Sequence, residues 1–247
     1  MDPSFRLRLA TRLAQRLRAL GRPSSWEELG EALGLRGPVE PVVRPLLDGR
    51  FYLEEGVGLW EWRYPFPPRG EAVVVLDLET TGLAPGLDEV IEVGLVRLEG
   101  EKRIPFQRLV RPSRPPSPFV LRLTGIPWEA LEEAPSLEEV LEEAYPLLQG
   151  ATLVIHNASF DLGFLRPALE GMGLPLENPV VDSVRLARKA FRGLRRYGLD
   201  ALSEVLELPP RGTHRALADA ERALTVVREG YYGLTAGYPC LLRNLGR

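Results

Sequence analysis

Asp77 and Glu79 stand one residue apart at the end of the run VVVLDLETTG, residues 73–82. The valines ahead of them read as a buried strand, and an ionised carboxylate beside an apolar core is costly unless something positive compensates it. On a strand, residues i and i+2 share a face, so the two carboxylates project together and can share one cation. Alone, an Asp-x-Glu at a strand end is more often a cap or ordinary surface charge.

Two further stretches give the pair company. In LVIHNASFD, residues 153–161, a second buried run (Leu153 to Ile155) leads into His156 and Asn157. A helix is expected from near Ser159, containing Asp161, Phe164 and Leu165. By itself Asp161 could merely favour a helix N-terminus. In HRALADAERAL, residues 214–224, His214 and Asp219 are five apart, well over a right angle on one continuous helix. A shared site therefore needs His214 in the loop or first turn, with Asp219 one turn inside, and the preceding PPRGT permits that. Together Asp77, Glu79, Asp161 and Asp219 offer the hard oxygen ligands that suit Mg²⁺ or Mn²⁺. His214 adds a proton acceptor near neutral pH. This is the inventory of two-metal phosphodiester hydrolysis, in which cations about 3.5–4 Å apart hold the attacking water and the leaving oxygen.

The elements that must position these groups follow from pattern. Short β-branched strands at 72–77, 89–98, 103–110 and 151–155 alternate with helical stretches, as an α/β layered domain requires. Ser136 and Glu139 form a capping box ahead of the stripe Leu137, Val140, Leu141, Ala144 and Leu148. Four regions result: a small N-terminal domain (1–63), the proline-rich linker YPFPPRG (64–70), the α/β domain (71–229) and a tail without clear period (230–247). In the first region an arginine-rich amphipathic helix, a second helix capped by Ser25 and Glu28, the segment 37–48 and two extended runs give the order of a winged helix. Pro41 and Pro45 are poor residues for the interior of a recognition helix, and that segment carries little positive charge.

DLETTG, HNASFD and the H-x-x-x-x-D spacing resemble the three motifs of the DEDDh family of 3′→5′ exonucleases, which have a ribonuclease-H-like fold with a mixed sheet flanked by helices. LTGI (123–126), VDSVRLARKAF (181–191) and LDAL (199–202) extend the likeness toward the proofreading epsilon subunit of bacterial DNA polymerase III, over about 71–229. The resemblance implies that Asp77, Glu79 and Asp219 ligate one of two Mg²⁺ or Mn²⁺ ions, that Asp77 bridges to the second, and that Asp161 helps position it. It makes His214 the base that deprotonates the attacking water. It sets Thr80, Thr81, Gly82 and Leu83 against the terminal nucleotide, Leu123 and Thr124 along the cleft, and His156, Asn157 and Phe160 beside the site. The expected substrate is the 3′ end of DNA, single-stranded or frayed, in proofreading or repair beside a polymerase or repair partner. An RNA exonuclease of the same family, or a winged-helix DNA-binding protein with an inactive nuclease fold, are the alternatives.

Composition bounds the partners. Net charge is −3 and the pI about 5.7, so nucleic-acid contact must be local rather than spread over the surface. Arg185, Arg188, Lys189, Arg192, Arg195 and Arg196 cluster with no acid between Ser183 and Leu199, which reads as an edge that tracks phosphates. No apolar run approaches the length of a membrane span, no signal peptide is evident, and Cys240 is the only cysteine, so a cytoplasmic protein without membrane contact or disulfide is expected. Abundant arginine, proline-rich loops and few Asn, Gln, Met or Cys fit heat adaptation, or equally a genomic base bias.

Overall fold

A computed structural model describes residues 2–61, 64–210 and 212–246. The chain opens with α1 (Pro3–Leu20), whose N-terminus is capped by the Asp2 carboxylate accepting the Phe5 N–H, and which ends at Gly21 in the left-handed region (φ 70°). α2 (Trp26–Leu33) begins with the Ser25/Glu28 capping box. α3 (Glu40–Val43) is a single turn that tightens into a 3₁₀ turn at Arg44–Leu46, because Pro45 lacks the N–H needed to continue it. The antiparallel hairpin β1 (Phe51–Glu54) and β2 (Gly58–Glu61) completes the order helix, helix, helix, hairpin. These elements share one core that includes Leu13, Leu17, Leu29, Val43, Phe51 and Leu59.

The second body is a five-stranded mixed sheet. Its strands are β3 (Ala72–Thr80), β4 (Val90–Glu99), β5 (Lys102–Leu109), β6 (Ala151–Ile155) and β7 (Val180–Asp182), in spatial order β5-β4-β3-β6-β7. β4 runs antiparallel to both β3 and β5, while β6 and β7 lie parallel to β3. Between them lie α4 (Pro118–Thr124), α5 (Trp128–Glu132), α6 (Leu137–Leu148), α7 (Ala158–Gly171), α8 (Ser183–Ala190), α9 (Leu199–Val205) and α10 (Ala216–Thr235).

Strand parity distributes the core. Val74, Leu76 and Leu78 pack with residues of α6 and α7 on one face, whereas Val73 and Val75 pack with Ala220, Ala223 and Val227 of α10 on the other. Asp77 and Glu79 share the parity of Val73 and Val75, which assigns them to the α10 side.

Three features were not readable as periodicity. The proline-rich stretch does not hang free: Tyr64 and Phe66 meet Tyr231 and Tyr232 edge-on at 5.1–5.8 Å, and the Tyr232 hydroxyl donates to the Tyr64 carbonyl at 3.0 Å. Those aromatic partners stabilise the continuation of α10 past 229 to Thr235. Farther on, a 3₁₀ turn (Leu242–Asn244) buries Leu242, and the Glu71 carboxylate accepts the N–H groups of Leu242 and Arg243 and the Thr152 hydroxyl.

The first sixty residues are tied to α10 by a buried ion network. Glu229 accepts from Arg18 at 2.7–2.8 Å and from Arg50 at 3.2 Å; Arg50 also binds Asp48 at 2.8 Å, and Arg18 pairs with Glu61. Outside it, Arg8–Glu204 and Arg12–Glu207 join α1 to α9 and the turn after it.

Candidate active site

The carboxylates meet where β3 ends. A register shift between Glu79 and Thr80 interrupts the ladder there, which resumes with Thr80 opposite Val90 and the Thr81 N–H on the Glu89 carbonyl. Across the sheet, Asp77 is paired with Gly94 and Glu79 with Glu92. Gly94 is what lets α10 approach: a Cβ at that position would lie 2.1 Å from the Leu217 backbone nitrogen and 2.7 Å from the Ala216 Cβ.

The N-terminus of α10 is capped from that strand. Glu92 is fully buried (0% exposed); its carboxylate accepts the Ala216 N–H at 2.9 Å and grips the Arg215 guanidinium at 2.7–3.2 Å, with Gln107 Nε2 at 2.7 Å. The hydrogen bond and charge of Glu92 push the Arg215 pKa up, with the charge of Glu79 adding to it. His214 precedes this clamp, in the loop as its spacing requires, and its N–H donates to the Leu123 carbonyl at the end of α4 (2.9 Å). Asp219, 2% exposed, lies one turn inside α10. Ligating atoms of Glu79, His214 and Asp219 consequently lie within 4.8 Å of one another.

Asp161 arrives from the other face. It sits in the first turn of α7, is 2% exposed, and its Oδ1 accepts the N–H of Leu78, the residue between Asp77 and Glu79, at 3.0 Å. Burial pushes its pKa up to about 7, and the Asp182 charge adds to that, although the N–H donors pull the other way. Asp182 fixes the neighbouring helix starts, accepting N–H groups of Ala158, Val184 and Arg185 at 2.8–3.2 Å. Asp77 and Asp161 stand outside the 4.8 Å group, but flank it along the strand and across its backbone. The donor set of carboxylate oxygens with one imidazole fits a hard divalent cation.

The other anticipated residues divide. The Thr80 hydroxyl donates to the Gly82 carbonyl at 2.6 Å, and Thr81 is bonded to Glu89 through both backbone and side chain. Gly82 faces Asp88, whose carboxylate would lie 2.5 Å from any Cβ there and which accepts the Ala84 N–H, holding the loop shape. Leu83 projects at the loop tip, 82% exposed. Leu123 is half-buried, whereas Thr124 is 1% exposed and its hydroxyl donates to the Val120 carbonyl, so Thr124 supports α4 rather than presenting a surface. The His156 Nδ1 and the Ser183 hydroxyl share a 2.7 Å hydrogen bond, Asn157 occupies the left-handed region (φ 65°), and Phe160 packs edge-on against Phe164. Arg185, Arg188, Lys189 and Arg192 are exposed; Arg188 lies over the Tyr197 ring at 5.0 Å, and Lys189 donates to the Leu245 carbonyl at 3.1 Å.

Glu92, Gly94, Asp88 and Asp182 were not singled out from the sequence. A lone acid inside VIEVGLV, at the parity of a buried face, was the available signal for Glu92.

A family model described as exonuclease, of the RNase T type, matches residues 74–227. The chain belongs to the RNase T exonuclease family. Among curated relatives, the PolC-type DNA polymerase III of Thermotoga maritima is 41% identical over 185 residues, covering 74% of this chain and 12% of that protein. The 3′-5′ exonuclease DinG of Bacillus subtilis is 40% identical over 151 residues, covering 60% of this chain and 16% of the relative. The chain thus spans between a tenth and a sixth of the length of these relatives. Among solved structures, Exonuclease X in complex with 5′ overhanging duplex DNA matches with a TM-score of 0.53 at 27% identity, over 71% of this chain and 99% of that one. The nuclease domain of 3′hExo, a DEDDh family member bound to rAMP, shares the fold with a TM-score of 0.54 at 22% identity, over 64% of this chain and 92% of that one. No helix among the described residues is long and apolar enough to cross a membrane.

Proposed function

We propose that this RNase T family member is a divalent-metal-dependent 3′→5′ exonuclease that releases nucleoside 5′-monophosphates from DNA 3′ ends, in proofreading or repair. The observation that carries the proposal is the convergence of Glu79, His214 and Asp219, from stretches 135 residues apart, within 4.8 Å, with Asp161 bonded to the same strand end.

Asp77, Glu79, Asp161 and Asp219 would hold the cations. Mg²⁺ or Mn²⁺ held there would supply Lewis acidity toward the phosphoryl oxygens and toward the attacking water. His214, held by the Leu123 carbonyl and by the Glu92–Arg215 clamp that follows it, accepts the proton of the attacking water. The 80–83 turn, shaped by Asp88, presents its backbone and Leu83 to the terminal nucleotide. Residues 1–63 serve as a winged-helix-like accessory domain joined through 64–70, and the 3₁₀ turn of the tail lies against β7. The names of the PolC-type and DinG relatives, in which the matching part is a small share of a longer protein, support work alongside a second activity.

Timed digestion of 5′-labelled DNA and RNA oligonucleotides of matched sequence, with and without Mg²⁺ or Mn²⁺, tests the reading. Stepwise shortening of DNA from the 3′ end, dependent on metal and lost in Asp219→Asn, is the expected result. Faster loss of RNA would move the substrate class, and no shortening of either would remove the exonuclease assignment.

A further inference from the structure

The winged-helix order suggests that the N-terminal module would touch nucleic acid through its third helix, but the charge lies elsewhere. That element is one turn long, and its Arg44 is paired with Glu40. Among the described residues, positive charge without a carboxylate partner sits on α1 at Arg6 and Arg16, Arg8, Arg12 and Arg18 being ion-paired, and residues 183–198 carry five arginines and a lysine and no acid.

The fold brings these two stretches together. The loop after α8 wraps the N-terminus of α1, so closely that a Cβ on Gly193 would lie 3.0 Å from the Pro3 ring. Two open cavities flank that contact. One, of about 310 Å³, is lined by Arg6, Lys189 and Arg192, with Leu7 and Phe191 at its floor; the other, of about 290 Å³, by Arg8, Arg195 and Arg196. Each contains one acid, and both are already engaged: Asp48 with the buried Arg50 and Glu204 with Arg8. Arg6 and Lys189 are oriented by backbone carbonyls, those of Leu47 and Leu245, which leave their charge in place. Among the described residues, Arg192, Arg195 and Arg196 are exposed and form no ion pair with a carboxylate.

This surface is connected to the carboxylate cluster by α8. Its first residue, Ser183, is bonded to His156 at the end of β6, and from there the exposed Arg185, Arg188 and Lys189 lead along about 12 Å of helix to α1. In a protein of net charge −3, six cationic side chains within residues 183–198 and no acid among them concentrate positive field along one path that a polyanion can follow.

We propose that α1 and the 189–196 segment jointly form a second nucleic-acid site, which grips the phosphodiester backbone of a single strand upstream of the 3′ end held at Glu79 and Asp219. The proposal rests on the exonuclease reading for its polarity. It makes the N-terminal module part of the substrate track, and makes chain-length preference a property of the interface between the two bodies.

The test uses the full chain. Binding of a 5′-fluorescein 30-nucleotide DNA strand to the Asp219→Asn protein is followed by anisotropy between 50 and 300 mM NaCl. Each phosphate neutralised on a single strand contributes about −0.7 to the slope of log K against log salt, so Arg6→Gln/Arg8→Gln should flatten the slope by about 0.7, the share of Arg6, because Arg8 is already paired with Glu204. Arg195→Gln/Arg196→Gln, which leaves the Arg8–Glu204 pair intact and removes two charges that have no carboxylate partner among the described residues, should flatten it by about 1.4. In the otherwise active protein, either pair should raise KM for the 30-mer fivefold or more while hydrolysis of a dinucleotide, whose only phosphate is the scissile one, is unchanged. An unaltered slope in both variants, equal loss on dinucleotide and 30-mer, or competition by poly-glutamate as effective as by DNA would overturn the site. Absence of cleavage of any oligonucleotide by the parent protein would instead count against the exonuclease reading, with the anisotropy slopes still deciding the surface.

Discussion

Replacing Glu229 with glutamine should loosen the first sixty residues from α10. The Glu229 side chain is 3% exposed and faces Arg50, 0% exposed, and Arg18. Burial pushes the Glu229 carboxyl up, but the two guanidinia outweigh it and hold the group below its usual range, so it is charged at neutral pH. Removing one partner of a buried ion pair typically costs about 3–5 kcal/mol. Here Arg50 keeps Asp48 at 2.8 Å and Arg18 keeps Glu61, which lowers the expectation to about 2–3 kcal/mol. In a chain of this length that corresponds to a fall in Tm of roughly 5–10 °C. Urea unfolding, followed by far-UV circular dichroism and by tryptophan fluorescence, with Trp26 and Trp60 in the N-terminal body, reads the loss directly. Because the folded pKa lies below the unfolded 4.5, the contribution is complete above about pH 4.5 and fades as pH falls through the folded value, so parent and variant should converge in acid. The double variant Arg50→Met/Glu229→Leu leaves Arg18 with Glu61 and frees only Asp48, which is 27% exposed and can be hydrated, so it should recover part of the loss. A Glu229→Gln protein within about 0.5 kcal/mol of the parent, the range of ordinary surface substitutions, would refute the reasoning.

Gly94→Ala drives a methyl group into the backbone at Leu217, so it should displace the start of α10, lower stability by more than about 2 kcal/mol and reduce nuclease turnover more than tenfold, read by denaturant melts and by kcat. Glu92→Gln keeps the shape but removes the buried charge that holds the partly exposed Arg215; the expected result is a lower kcat with a nearly constant KM, partly regained when Arg215→Gln is added so that an amide pair replaces the broken ion pair. In the metal-free protein the Asp161 pKa of about 7 lies above its ordinary 3.8, so the group favours folding below about pH 4 and that contribution is lost as pH rises through 7. Metal-free Asp161→Asn should therefore melt above the parent at pH 8, converge with it at pH 4, and fail to gain stability from added Mn²⁺ as the parent does, as measured by differential scanning calorimetry.

What the sequence revealed were the groups whose meaning is local. Two acids at i and i+2 on an apolar strand declare a shared face, and the five-residue interval from His214 to Asp219 demands a loop followed by one helical turn; both arrangements are present in the structure. The strands and the Ser136 and Ser25 caps were legible for the same reason, since parity and capping act over a few residues. Glu92 and Gly94 were not, because their roles arise from α10, more than 120 residues later. Nor was the extension of α10 to Thr235, where helix and tail are held by Tyr64, Phe66 and Glu71 rather than by their own period. In the N-terminal region the element order was visible, but the distribution of charge over it became meaningful only once α1 was seen to lie against residues 189–196.

α10 is a 20-residue rod about 30 Å long, with Asp219 near one end and Glu229 and the aromatic grip of Tyr64 toward the other. The end that carries Asp219 rests on Gly94 with no slack for a methyl group. Anything that tugs the N-terminal body therefore pulls on a lever whose short arm is the aspartate, and a partner far from the sheet could retune turnover by shifting that helix a fraction of an ångström.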